Sequence, residues 1–398
     1  MRQSFSLGRV FGIEVRVHAT WLLAFAFVTW GLANGYFRFI APRQGLGFPL
    51  LLGALSAILL FASVLIHEFS HSLVARALGM RVRDITLFIF GGVSNIGGEA
   101  VSARNEFLIA VVGPLTSLAL ASVFWLAAQS VGGTTVLDLL FGSARGLRSM
   151  TPLGAVLNYL ASINLLLGVF NLVPAFPLDG GRVFRSILWG TTHRFDRATN
   201  IAATVGQGFG FLMIGLGLVR MVFGDLAGGV WTMFIGWFLS QAAGAARRDR
   251  QLRESLSGVQ VRQLMDPSVP LIDAHSSVQQ LVFEHLLRSD RRQLIVTTDG
   301  QPVGVVDAAA VKNVAREAWP STAVEQIMGP IAFSVAPEAD AAELLDRLGE
   351  RPSLVPVVDH GHLVGGVDVA RVLQFAQFHA ELQQQAQSRG RTNPATAA

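Results

Sequence analysis

His67-Glu68-Phe69-Ser70-His71 is the stretch of this 398-residue chain best equipped for chemistry. On a helix, residues four apart share a face, so both imidazoles can reach one metal ion while Glu68 projects beside them toward its water. An H-E-x-x-H match arises by chance in roughly one chain in a hundred of this composition, so the setting has to decide. Upstream, Leu50 to Ile66 (LLLGALSAILLFASVLI) carries no charge and reads as the body of a membrane span. An ionisable side chain at the centre of a span costs on the order of 3 kcal/mol to insert. A His-Glu-His cluster placed there needs something to hold it, and a metal ion would.

At 51% hydrophobic and 15% charged residues, with a mean hydropathy of +0.48, the chain is too apolar for an ordinary soluble protein of its size. It reads as an integral membrane protein with a soluble part appended. The absence of cysteine excludes disulfides, iron–sulfur clusters and Cys-ligated zinc, so a metal must be held by His, Asp or Glu. Lys312 is the only lysine, and most arginines lie beside apolar spans, which points to topology and away from nucleic acid. The apolar run from Ala19 to Leu32 follows a mixed segment and precedes no small-residue cleavage pattern, so it reads as a retained first span and not a signal peptide.

The elements that must position these groups come next. Residues 4 to 17 (SFSLGRVFGIEVRV) alternate β-branched and polar residues around glycines, and predict a short strand pair at the membrane surface. Six spans are expected: about His18–Phe37, Phe48–Met80, Phe107–Val131, Leu153–Val173, Ile201–Val222 and Leu226–Ala245. Between the second and third, residues 84 to 100 (DITLFIFGGVSNIGGEA) break at Gly91-Gly92 and Gly97-Gly98, as a hairpin or re-entrant loop lining a cavity would. Six spans put both termini on one side. Arg38, Arg43, Arg145, Arg148 and Arg220 then face one way, and the larger set that includes Arg2, Arg76, Arg81, Arg104, Arg182 and Arg247 faces the other. That asymmetry makes the termini cytosolic.

A catalytic zinc usually takes three protein ligands and leaves a fourth position for water. Glu14, Asp84, Glu99, Glu106, Asp138 and Asp225 fall in loops or at span ends, where solvation accounts for them. Asp179 is different, because it follows Asn171-Leu-Val-Pro-Ala-Phe-Pro-Leu, whose prolines break the fourth helix, and precedes Gly180-Gly181. His67 and His71 lie 19 and 23 residues after Phe48, and Asp179 lies 26 after Leu153. In spans running the same way, the three groups reach similar depths. Asp179 as a mere cap of the turn at Gly180 is the competing reading.

These features resemble the site-2 proteases, the intramembrane zinc metalloproteases of peptidase family M50. The resemblance rests on the H-E-x-x-H at 67 to 71, on Asn171-x-x-Pro174-x-x-Pro177-Leu178-Asp179-Gly180, and on Gly91-Gly92 and Gly113-Pro114 between them, and it covers residues 1–245. It implies one zinc ion per chain on His67, His71 and Asp179, with Glu68 as the base. It also makes Asn171 a polar contact near the site, and Gly91, Gly92 and Val93 part of an edge that docks an extended substrate. The implied partners are a transmembrane protein substrate and the lipid bilayer. His18 stands where the family also shows a histidine; an interfacial role is the simpler account.

After residues 246–258, a linker rich in arginine, an internal repeat appears with a period near 60. Val261-Arg-Gln-Leu-Met-Asp-Pro267 returns as Val324-Glu-Gln-Ile-Met-Gly-Pro330, and two α+β units are expected, 259–320 and 321–378, before a tail at 379–398. From Gln383 to Ala398 the tail reads as a frayed helix followed by disorder. The repeats resemble tandem CBS domains, which implies cytosolic regulation, a small-molecule or nucleotide ligand, and homodimerisation. Asp307 and Asp368 stand where such repeats usually carry Ser or Thr, and Ala310 and Arg371 replace the following acid. An acidic side chain there would repel a phosphate. The fold class expected is thus a polytopic α-helical membrane protein with a short β element plus a C-terminal α+β CBS pair. The rival function is a CBS-regulated transporter or channel using His67, Glu68 and Asp179 as an ion path.

Overall fold

The strand pair expected at residues 4–17 and the segment at 84–100, expected as a hairpin or re-entrant loop, join into one sheet. In the computed structural model, which describes residues 4–89, 91–133, 150–288, 293–331, 333–347 and 354–379, β1 (Ser4–Val10) pairs antiparallel with β2 (Ile13–His18). β3 (Arg81–Phe88) pairs antiparallel with β4 (Gly91–Gly97), and β2 and β3 join in parallel to give the order β1-β2-β3-β4. A parallel step needs a long crossover. Here it consists of α1 (Thr20–Asn34), α2 (Tyr36–Ile40) and α3 (Gly47–Ala77), so the helix bearing the H-E-x-x-H runs from α2 directly into β3. Ile13, Val15 and Ile85 of the sheet bury against Phe69, inside the motif itself.

Among the described residues, four helices are long and apolar enough to cross a membrane: α3, α4 (Ala103–Ser130), α5 (Pro152–Asn171) and, further on, α7 (Phe195–Val222). The expected first span is shorter than read, because α1 stops at Asn34 and Gly35 turns the chain into the five-residue α2. Between α5 and α7 lies an amphipathic helix that the sequence reading did not anticipate, α6 (Asp179–Thr192). It begins at Asp179 because Pro177 ends the turn before it, and because Gly180 and Gly181 admit the backbone of Leu172–Phe176 against its first turn. A Cβ at Gly180 would lie 2.3 Å from the carbonyl of Val173. Helix α4 packs against α3, α5 and α6. Its contact with α5 is close, since a Cβ at Gly168 would sit 3.1 Å from the carbonyl of Pro114.

The chain divides into two compact units, Met1–Arg247 and Arg248–Ala398, and the division falls within α8 (Leu226–Leu256). In the second unit, β5 (Leu271–Asp273), β6 (Gln293–Thr298), β7 (Gln301–Asp307) and β8 (Gly329–Pro330) form one sheet, and β9 (Leu354–Asp359) with β10 (His362–Asp368) a second. The two hairpins are copies: Asp299-Gly300 and His360-Gly361 both turn with positive φ, as two-residue loops between right-twisted strands do. The repeats also exchange their leading segments. Val324 is buried in the core of Val278, Leu281, Val296 and Val306, and Val261 in that of Val355, Val357, Val367 and Val372. Asp138, Arg145, Arg148 and the tail from Gln383 lie outside the described residues.

Candidate metal centre

His67 and His71 lie one turn apart on α3 and are both buried, while Asp179 reaches them from the first turn of α6. Asp179 Oδ2 is 3.1 Å from His67 Nε2 and 3.2 Å from His71 Nε2, and the two Nε2 atoms are 3.2 Å apart. Sequence separations of 112 and 108 residues are closed at this point. Among the described residues these three form the group able to hold a metal ion.

The far side of each ring shows what the centre requires. His71 Nδ1 lies 2.6 Å from the carbonyl of Ile109, which can only accept, so Nδ1 carries the proton and Nε2 of the neutral ring is a bare lone pair. His67 Nδ1 lies 2.8 Å from Ser117 Oγ. The His71 lone pair therefore points at a carboxylate oxygen and at a second imidazole nitrogen. Acceptors facing one another repel unless a proton or a metal ion lies among them, and two imidazole nitrogens with a carboxylate oxygen are a donor set that suits zinc. Gly113 of α4 clears the space, because a Cβ there would stand 2.1 Å from His71 Nε2 and 2.7 Å from His67 Nε2.

Glu68, between the two histidines in sequence, meets β4. Its Oε2 accepts a hydrogen bond from Ser94 Oγ at 2.7 Å, and Ser72 Oγ lies 3.2 Å from the same serine. Gly92 backs directly onto Glu68, its α-carbon so close that a Cβ would fall 2.5 Å from Cγ. Gly91 and Val93 flank it on β4, an edge strand, and Val93 is exposed. Asn171 is the last residue of α5, half-buried, where the chain enters the turn leading to Asp179. His18 stays outside the cluster, its Nδ1 2.9 Å from Thr20 Oγ1 at the start of α1.

One assignment needs correction. Glu106, read from the sequence as a solvated residue at a span end, is fully buried and bound by Arg185 of α6 through Nε at 2.8 Å and through Nη2. Its pairing depends on α6, an element without a strong sequence signal. Ser117, Ile109 and Ser94, which steady the cluster, were not singled out either. A hydroxyl or a main-chain carbonyl has no chemical signature until the fold brings a ring to it.

A helical membrane unit that gathers two histidines and an aspartate beside a glutamate is the framework of a metal-dependent hydrolase. The model of peptidase family M50 matches residues 55–214, and that of the CBS domain matches residues 261–316 and 324–376. Two relatives carry the name "putative zinc metalloprotease": sll0528 of Synechocystis sp. and Rip3 of Mycobacterium tuberculosis, each 34% identical. The first alignment covers 96% of this chain and 97% of sll0528, the second 94% and 93%. A solved structure, a site-2 protease from Methanocaldococcus jannaschii, matches 62% of this chain and 95% of its own length at 30% identity, with a TM-score of 0.42. The chain belongs to peptidase family M50, as an intramembrane zinc metalloprotease of the site-2 type followed by a CBS pair. Its cofactor is Zn2+, its surroundings are lipid and its substrates are membrane proteins, and the transport reading is set aside.

Proposed function

We propose that His67, His71 and Asp179 hold the zinc and that Glu68 is the general base for peptide-bond hydrolysis within the bilayer. The observation that carries this reading is the convergence of two Nε2 atoms and Oδ2, each within 3.2 Å of the other two. When bound, zinc supplies Lewis acidity toward the peptide carbonyl and toward the water that attacks it. Ile109 and Ser117 fix the two rings from behind, so the ligand nitrogens are aimed before the ion arrives. Glu68 takes the proton of the attacking water and returns it to the leaving amine, with Ser94 holding the carboxylate on the β4 side.

The substrate binds as an extended strand along β4, at Gly91, Gly92 and Val93, with Asn171 as a further polar contact. A transmembrane helix is internally hydrogen-bonded, and pairing with an edge strand replaces bonds lost on unwinding. That edge lies directly against the base, since Gly92 and Ser94 both touch Glu68.

The arginine asymmetry supports six spans, with α1 and α2 forming the first and the apolar start of α8 the last, and cytosolic termini and CBS pair. The protease part is taken as 1–245, a linker as 246–258, the repeats as 259–320 and 321–378, and a tail as 379–398. The CBS pair regulates cleavage through homodimerisation or a small-molecule ligand. Asp307 accepts from the amide of Ala310 at 2.7 Å as a helix cap, which leaves it poorly suited to a nucleotide phosphate.

The test is a comparison of membrane-protein fragments in cells carrying wild type or Glu68→Gln. Fragments made only by wild type support the reading and name the substrate; identical fragment sets overturn it.

A further inference from the structure

The face of α4 that orients the histidines also carries Glu106. Positions 106, 109, 113 and 117 follow one another at helical spacing along a single stripe. Ile109 fixes His71, Gly113 clears both rings, and Ser117 fixes His67. Glu106, one turn before Ile109, grips α6 through Arg185, six residues or about 9 Å of helix beyond Asp179. The grip is embedded: Glu106 is fully buried, and the Arg185 guanidinium lies 5.1 Å from the ring centre of Phe176 and 4.8 Å from that of Phe195. Phe176 belongs to the turn that delivers Asp179. Arg182 Nε stands 4.0 Å from the same carboxylate oxygen.

We propose that the Glu106–Arg185 pair positions the metal centre, locking α6 and its Asp179 carboxylate in register with the stripe of α4 that aims the two imidazoles. This rests on reading Asp179 as a zinc ligand. A buried ion pair is poorly explained by stability alone, since apolar residues of similar volume commonly serve as well or better. What such residues lack is direction: Nε and Nη2 of Arg185 both donate to Oε1 of Glu106, and holding two donors of one rigid guanidinium on a single oxygen fixes the register between the two helices.

The test uses the purified full-length protein. Glu106→Gln with Arg185→Met removes both charges at similar volume and avoids leaving one of them buried alone. With helix content retained, zinc affinity measured by chelator competition should fall roughly 10- to 100-fold, as for groups that orient metal ligands. The visible spectrum of the cobalt(II)-substituted double variant should shift toward that of Asp179→Ala. The triple variant that adds Asp179→Ala to the double should bind zinc no more weakly than Asp179→Ala alone. Wild-type affinity with an unchanged cobalt spectrum in the folded double variant overturns the proposal. Should the double variant not fold, Arg185→Lys decides: it keeps the charge and loses the fork, and wild-type zinc affinity there overturns the proposal equally. Wild-type affinity in Asp179→Ala would instead sink the ligand assignment, a different failure.

Discussion

A neutral imidazole has one proton to give, and His71 gives it to the carbonyl of Ile109. Three expectations follow from that economy. Glu68→Gln should retain about one zinc per chain while cleavage falls by roughly 10²–10⁴-fold, the usual worth of a positioned base; metal analysis and a fragment assay on one preparation check both. Gly113→Ala should lose the metal, because its methyl would occupy the space of both ligand nitrogens, and chelator competition reads that loss. Ser117→Ala leaves the ligands intact but frees the His67 ring, so zinc affinity should fall roughly 10-fold or more with little change in thermal stability. At this scale the sequence was legible where chemistry is local. H-E-x-x-H declares itself because helix periodicity brings residues 67 and 71 together, and Asp179 stands out among prolines and glycines. Ser117 and Ile109 lie 50 and 38 residues from the rings they hold, and nothing in their own neighbourhood marks them. Glu106 misled for a related reason: a carboxylate at a span end looks solvated until its arginine, 79 residues on, is found.

Among the elements, the long apolar helices were readable because twenty or more uncharged residues have few other fates, whereas the sheet was readable only in halves. Glycines mark each antiparallel hairpin, Gly12 at the turn of the first and Gly91-Gly92 at the start of β4 in the second. The parallel pairing of β2 with β3 spans more than sixty residues and depends on the crossover between them. Helix α6 was missed because it is short and amphipathic, flanked by turns that draw attention to themselves. The edge position of β4 bears on binding. An extended peptide matching a cleavage site should inhibit competitively, and N-methylation of alternate amides on its pairing side should abolish inhibition, while methylation of the other amides should be tolerated. Equal effects of the two patterns would count against strand pairing.

For the molecule as a whole, the lack of cysteine offers a clean test of orientation. Gln44→Cys should react with a membrane-impermeant thiol reagent on intact cells, and Ser257→Cys only after lysis; the reverse pattern would invert the topology. Zinc at 100 times its dissociation constant should raise the stability of the membrane unit by about 2.7 kcal/mol over the chelated protein, read as a shift in thermal unfolding. The repeat in the C-terminal unit was plain from recurring motifs. The exchange of leading segments between its copies was not, because valines at 261 and 324 fit either core equally well by composition.

The distance along the chain between the imidazoles and the carboxylate has a consequence for biogenesis. His71 leaves the ribosome 108 residues ahead of Asp179, and β2 finds β3 only once α1 to α3 are inserted. With Asp179 as the proposed third ligand, a nascent chain should not assemble its metal site or hydrolyse a neighbouring polypeptide until α6 has emerged, so the enzyme should stay inert through most of the synthesis of its membrane unit.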